Sequence, residues 1–272
     1  MKSKVIFVLT LACLLFLFFP FSWILFDLIV KGLPVILSSG INFFTGIPPI
    51  PGDGIGGIGT VIEGSLFIVS IATLISIPIS LLTSIYIVMN EGKKLSRISR
   101  FLVETVLEFP TIIVGISVFM IFAVGLGLGL NGLTGAIALG IIMIPYSTVQ
   151  TVENLRQAKE QYLEVGYSLG LTDSRVVRLL ISEGREGVTT GILIGLAKIF
   201  GETAPLLFTT VTSFNIYLRS INSPVSGIPV LIFNYAFSPY DNWHDVAWGA
   251  SLVLALIVLL LFILTRVTTR RR

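Results

Sequence analysis

Six apolar runs alternate with polar or Gly/Pro-rich connections along the chain, at residues 5–30, 60–89, 101–125, 132–150, 187–212 and 246–266. A helix of about 20 apolar residues is what it takes to cross a hydrocarbon core, so this pattern predicts an all-α, polytopic membrane protein with six transmembrane helices in one domain. The first run follows Lys2 and Lys4, as a secretory signal would. It is longer than the apolar centre of a signal peptide and no A-x-A-like cleavage site follows it, so it reads as an uncleaved first span. Residues 31–59 read as a loop rich in Gly and Pro, in which Gly54, Gly56 and Gly59 fit G-x-G-x-x-G. That fingerprint marks a nucleotide site only between a strand and a helix of a βαβ unit. No such unit is readable here, and the glycines are better suited to a tight re-entry into the membrane. Pro78, Pro110 and Pro145 fall within or at the ends of spans, which is tolerable where neighbouring helices satisfy the freed backbone groups. Glu63, Glu104 and Glu108 sit near span ends, where interfacial water solvates a carboxylate.

Composition agrees with the pattern: of 272 residues 54% are hydrophobic and 12% charged, and the mean hydropathy is +0.96. The net charge of +3 does not indicate nucleic acid, because the cations sit in short connections rather than in a basic stripe with stacking aromatics. Lys and Arg cluster at the N-terminus, at 90–100 (Lys93, Lys94, Arg97, Arg100), at 151–186 (Arg156, Lys159, Arg175, Arg178, Arg185) and at the C-terminus (Arg266, Arg270, Arg271, Arg272). The alternate loops hold only Lys31 and Arg219. The positive-inside rule then puts both termini in the cytoplasm of a cell-membrane protein. Tyr235, Tyr240, Trp243 and Trp248 on the outer side read as an aromatic belt. Cys13 and His244 are each the only residue of their type, so no disulfide, metal site or cofactor site is encoded.

The stretch Gly187–Thr210, GVTTGILIGLAKIFGETAPLLFTT, carries Lys198 and Glu202 close to its middle. A charge at mid-membrane costs about 2.5–3.5 kcal/mol on insertion scales, and by default it faces a cavity, a partner helix or a transport path. Spaced four apart, the two share a helix face and can pair. Pro205 cannot donate to the carbonyl of Gly201, so Gly201 and Pro205 together predict a kink. The hydroxyl of Thr203 falls in the same two turns. Gly187, Gly191 and Gly195 form a small-xxx-small stripe that admits a close helix neighbour, placing Lys198 at or beside a helix–helix seam.

The connection 151–186 reads as an amphipathic helix-turn-helix at the membrane surface, with a turn at Gly170 and Asp173 or Ser174 positioned to cap the second helix. It resembles the EAA loop of ABC-importer permeases, Glu-Ala-Ala, three residues, Gly, nine residues, Ile-x-Leu-Pro. Glu164, Val165 and Gly166 stand for the triplet, Gly170 follows at the expected spacing and Leu180 replaces Ile, while Ser182 and Glu183 replace Leu-Pro. AKIFGETAPLLFT at Ala197–Thr209 resembles the A-R-A-x-G-E-T-A-P-L-L-F-T signature of the PstA-type permease family of phosphate ABC importers. GGIGTVIEGSLFIV, IPISLLTSIYIV, FPTIIVGI, IIMIPYSTVQTVENLR and GIPVLIFNYA also fall into line with it, so the resemblance covers about residues 56–266.

The resemblance implies a type I importer permease fold. It implies a second, PstC-like permease subunit beside this one in the lipid bilayer, a PstB-like ATPase homodimer below, and a PstS-like extracytoplasmic phosphate-binding protein above. Glu164, Val165, Gly166 and Gly170 would seat in the ATPase, and Lys198, Glu202 and Thr203 would lie on the translocation path. Lys198 stands where the family usually has Arg, which keeps the charge but loses the planar fork. The alternative for Lys198 and Glu202 is an ion pair that only fixes register. Other oxyanions such as sulfate, molybdate or tungstate are not excluded by the residues themselves. A membrane-embedded enzyme would want a nucleophile or metal set, and no His, Cys or Asp cluster supplies one. With no G-x-x-x-x-G-K-[ST], the chain is not the motor; it is read as a transport subunit and not an enzyme.

Overall fold

The computed structural model describes residues 2–212 and 214–269, and among these every regular element is helical. Arg270, Arg271 and Arg272 of the charge count lie outside the described residues, as do the side chains of Lys2, Lys4 and Arg266. The chain divides into two compact units, one made of the residues up to Gly59 with Ile232–Val253, the other of Thr60–Leu231 with the residues from Leu254 onward.

In the first unit α1 runs from Lys2 to Ser39, with Pro20 and Pro34 inside it. It therefore continues into residues 31–39, where the pattern of the sequence predicts a loop. Most of its side chains, from Ile6 to Leu37, are exposed and apolar, as a lipid-facing helix requires. Lys31 pairs with Asp27 at 3.4 Å and lies over the Trp248 ring at 4.5 Å, which shields its charge. A one-turn helix α2 (Asn42–Thr45) follows, and the Gly/Pro segment folds back along it. Ile58 N–H donates to Phe43 O and Gly59 N–H to Gly46 O. Gly57 lies so close to Gly46 that a Cβ there would overlap its backbone. Tyr235 is buried, stacks on Trp243 with centroids 4.2 Å apart, and both rings donate to Pro49 O. Tyr235 is thus a packing residue of this unit and not part of an interfacial belt, a correction that only its burial could make.

In the second unit α3 (Gly59–Met89) is a continuous apolar helix. The run expected at 101–125 is two helices bent by 100°, α4 (Lys94–Leu107) and α5 (Thr111–Val118), the latter continuing as a π-helical segment Phe119–Gly125. The break falls at Glu108–Pro110 because a residue before proline is disfavoured in the α conformation and Pro110 suits the start of the next helix. α6 (Gly132–Ser168) starts where the Asn131 side chain accepts from Thr134 N–H at 2.9 Å. Its 37 residues span about 56 Å at 1.5 Å per residue. The expected 132–150 span and the first half of the connection that follows it are therefore one helix, too long for the bilayer alone. α7 (Asp173–Glu183) folds back on its far end, and α8 (Arg185–Phe200) returns along α6. α9 (Leu206–Thr209) is one turn. α10 (Ile228–Ala236) and α11 (Asp241–Thr269) complete the chain.

Four described helices are long and apolar enough to cross a membrane, within Leu9–Ser39, Gly59–Met89, Gly132–Ser168 and Asp241–Leu264, and the bent pair α4–α5 makes a fifth if taken as one span. The 187–212 run is not an unbroken helix. α8 has only 16 residues, about 24 Å of length, before the chain leaves helical geometry.

Candidate functional site

The packing of α8 on α6 sets the position of Lys198. Gly187, Gly191 and Gly195 all face α6: a Cβ at Gly187 would overlap Asn154, one at Gly191 would lie 2.9 Å from Thr151 Oγ1, and one at Gly195 would overlap Ser147 Oγ. The glycine stripe is therefore spent on a contact within the chain, and the helices approach as closely as small residues allow. Ser147 Oγ is fully buried in this seam without a hydrogen-bond partner among the described residues. Three residues after Gly195, Lys198 is half-buried, its Nζ 5.5 Å from the centroid of the Tyr146 ring on α6.

α8 ends at Phe200, one residue before Gly201, and Gly201–Pro205 is non-helical. The expected kink is thus a full interruption that begins ahead of the proline. A proline ring clashes with the carbonyl four residues back, which is that of Gly201, and glycine costs little when it leaves the helix. Glu202 lies just beyond the helix end but turns its carboxylate back, with Lys198 Nζ to Glu202 Oε1 at 2.6 Å. The lysine side chain keeps 39% of its exposure and the carboxylate only 9%, so the cation is the accessible member of the pair. Thr203 is part-buried and its carbonyl accepts from Leu207 N–H, while Thr209 Oγ1 donates to Pro205 O at 2.8 Å. Pro205 rests on α5 at Gly115, where a Cβ would lie 2.5 Å from Pro205 Cα. Beyond α9, the non-helical chain is tied down by Leu218 N–H donating to Glu63 Oε2 at 3.0 Å and Thr60 Oγ1 donating to Phe214 O at 2.5 Å. Glu63 therefore has a structural partner, which no local pattern in the sequence disclosed.

The second expected site lies at the far end of α6. Glu164 and Val165 are exposed, whereas Gly166 is buried against Val176 of α7, where a Cβ would lie 3.3 Å from Val176 Cγ2. Gly170 has φ +74° and makes the turn. The cap position of α7 is Thr172 rather than Asp173 or Ser174, and Asp173 instead accepts from Tyr167 OH at 2.9 Å. Leu180 is buried with Ala158 and Val176. In place of a Leu-Pro exit, the buried Gly184 carries the chain directly from α7 into α8. The arm is held at its base by Glu91, which accepts from Arg156 Nε at 2.7 Å and Lys159 Nζ at 2.8 Å, while Lys159 also donates to Val88 O. Burial pushes the Glu91 carboxyl up, but those hydrogen bonds and the two cations outweigh it and hold its pKa below the ordinary value. The sequence offered no signal for this clamp, since its members are some 65 residues apart. Among the described residues no group of His, Cys, Asp and Glu is arranged to hold a metal.

Residues 76–271 match the family model described as the binding-protein-dependent transport system inner membrane component. The chain is 38% identical over 263 residues to a protein of Methanocaldococcus jannaschii named probable phosphate transport system permease protein PstA, covering 96% of this chain and 92% of that one. It is 35% identical to the phosphate transport system permease protein PstA of Pasteurella multocida, covering 98% and 94%. Among solved structures, a chain from inward-facing conformations of the MetNI methionine ABC transporter superposes with a TM-score of 0.64 at 17% identity, over 78% of this chain and 97% of that one. At that identity the likeness concerns the fold alone.

Proposed function

The chain belongs to the family of binding-protein-dependent transport system inner membrane components, and from that premise we infer that it is the permease subunit of an ATP-driven importer of inorganic phosphate. The observation that carries the substrate is the agreement between two relatives from different organisms that share nearly the whole chain and are both named for phosphate transport. ATP hydrolysis belongs to a separate subunit.

In our reading the chain crosses the cell membrane six times with both termini in the cytoplasm. The 185–209 region, interrupted at 201–205, counts as one crossing, and the bent pair contributes one more through α5 and its π-helical continuation. Lys198 stands on the translocation path. Its accessible ammonium offers phosphate a transient cationic partner, and the buried Glu202 carboxylate neutralises it when the path is empty. A path must bind weakly enough to release its ion, and a half-exposed, compensated lysine meets that condition better than a deep cationic pocket. Thr203 adds a hydroxyl beside the pair. The non-helical stretch from Gly201 to Pro205 lets α8 and α9 move without breaking helical hydrogen bonds.

The partners we assign are a second permease subunit, an ATPase homodimer and an extracytoplasmic phosphate-binding protein. The exposed Glu164 and Val165, with the turn at Gly170, present the end of α6 and the start of α7 to the ATPase. ATP-driven closure of the ATPase pair would tilt this arm. Because α7 runs into α8 through Gly184, the motion reaches Lys198 along one helix.

The test is radiolabelled phosphate uptake in cells lacking this chain, complemented with wild type, Lys198→Ala, or Lys198→Gln with Glu202→Gln, with assembled membrane levels measured for each. Wild type restores uptake, and Lys198→Ala lowers it by roughly tenfold or more, on the order of a lost charge contact of 1.5–3 kcal/mol. If the doubly neutral variant transports normally, the path assignment is wrong. If deletion leaves phosphate uptake intact, the substrate is another oxyanion, and sulfate and molybdate become the next assays.

A further inference from the structure

α4 carries three distinct stripes along its length. Ser96 is buried and Val103 and Leu107 are part-buried on the face that packs into the unit, where Ser96 Oγ donates to Ile87 O at 3.0 Å. A second stripe is charged: Lys93, Arg97, Arg100 and Glu104 follow at steps of four, three and four. The third stripe, Leu95, Ile98, Leu102 and Val106, is apolar and exposed, with Phe101 beside it at 66% exposure. α7, the other short amphipathic helix at this end of the unit, differs in the respect that matters. Its apolar residues are spent against α6 and α3, and none of its large hydrophobic side chains is exposed.

We propose that α4 lies in the plane of the membrane surface as an interfacial helix that binds anionic phospholipid headgroups, with Lys94 and Arg97 as the headgroup contacts. Three observations carry this. The axis of α4 turns by 100° from the helix that follows it, so when α5 and the π-helical segment run across the bilayer, α4 runs along its surface. An exposed apolar stripe flanked by cations is the surface that an interfacial helix presents, its apolar side in the acyl boundary and its cations at headgroup level. The charge is only partly compensated within the chain: Arg100 pairs with Glu104 at 2.8 Å and Lys93 donates to Asn90 Oδ1, whereas Lys94 and Arg97 have no carboxylate partner among the described residues. A helix that merely faced lipid tails would have no use for these uncompensated cations. Contact with the ATPase would not call for a stripe of exposed Leu, Ile and Phe that begins next to the membrane. The proposal depends neither on the substrate nor on the orientation of the termini.

The experiment uses the assembled importer reconstituted in bilayers doped with equal traces of photoactivatable phosphatidylglycerol and phosphatidylcholine, with adducts mapped by mass spectrometry. Adducts on residues 94–107 are expected to favour phosphatidylglycerol by roughly fivefold or more, the preference that one juxtamembrane cation supplies. Lys94→Gln with Arg97→Gln should bring the ratio near parity while total lipid adducts persist. The charge-conserving pair Lys94→Arg with Arg97→Lys should keep it, which separates charge loss from misfolding. Equal labelling by the two lipids in the wild type would overturn the proposal. So would a segment without lipid adducts that cross-links to the ATPase.

Discussion

A methyl group at Gly195 would occupy the space that Ser147 Oγ already fills. Alanine raises helix propensity by about 1 kcal/mol over glycine, but overpacking a tight seam costs about 1–3 kcal/mol, so the clash wins. Gly195→Ala is expected to lower the thermal midpoint of the purified complex. Ser147→Ala alone should be neutral or slightly stabilising, since it deletes a buried hydroxyl that has no partner among the described residues. Combining the two should recover most of the loss, and additive destabilisation in the double variant would contradict this packing. Glu91 supports a second prediction at this scale. Its pKa is held below the ordinary value of 4.5 in the folded chain, so its contribution to stability is present above that value and is lost as pH falls through the lower folded value. Glu91→Gln should therefore melt earlier than wild type at neutral pH, and the gap should close in acid below about pH 4. Because the carboxylate is partly open to water, the gap is expected to be small. Lys198, Glu202 and the glycine stripe were all visible as residues that do not belong in an ordinary span. Tyr146, Ser147 and Glu91 were not, because each matters only through a partner far away in sequence.

At the scale of elements, the long α6 is the feature that links the apolar run at 132–150 to the arm that α7 forms with its far end. Gly166 is where α7 closes on it, with Val176 Cγ2 in the way of any side chain. Gly166→Leu is expected to push α7 off α6 while leaving insertion intact, because the change lies at the far end of α6, well past the apolar run at 132–150. The readout is the ratio of phosphate transported to ATP hydrolysed in proteoliposomes. It should fall severalfold in an assembled complex, and an unchanged ratio would remove α7 from the coupling route. The sequence marked the turn at Gly170, where φ is +74° and glycine avoids the strain that another residue would carry. It placed Pro110 within or at the end of a span, as tolerable, and marked Pro205 for a kink. It did not say that the first would become a 100° bend and the second a five-residue interruption. A proline removes one helical hydrogen bond, and only the surrounding contacts, such as Gly115 against Pro205, decide whether the helix breaks there or runs on, as it does through Pro78 and Pro145.

For the whole molecule, the orientation proposed from the charge count makes the most direct prediction. In a Cys13→Ala background, Gly92→Cys and Gly170→Cys should react with a membrane-impermeant maleimide only in inside-out vesicles, and Asn222→Cys only in right-side-out ones. All three positions lie in turns or irregular segments. Labelling of Gly92→Cys and Asn222→Cys from the same side would require an odd number of reversals to be wrong and would sink the six-crossing reading. Four unbroken candidate spans, or five with the bent pair, are fewer than the apolar runs suggest because two of those runs are folded rather than threaded through as rods.

What the sequence determined by itself was the solvent and the class of machine. Apolar runs of span length commit the chain to a bilayer because no other environment accepts that much exposed hydrocarbon. The motif at Ala197–Thr209 pointed to an importer permease through its resemblance to a known family's signature. The tertiary structure decided which charges are paired, which glycines are seams and where helices stop. Those outcomes depend on distances between residues remote in the chain: Glu91 reaches Arg156 and Lys159, Glu63 reaches Leu218, and Gly195 reaches Ser147. Local pattern registers the cost of burying a charge or a proline, and only the folded neighbours register how that cost is met.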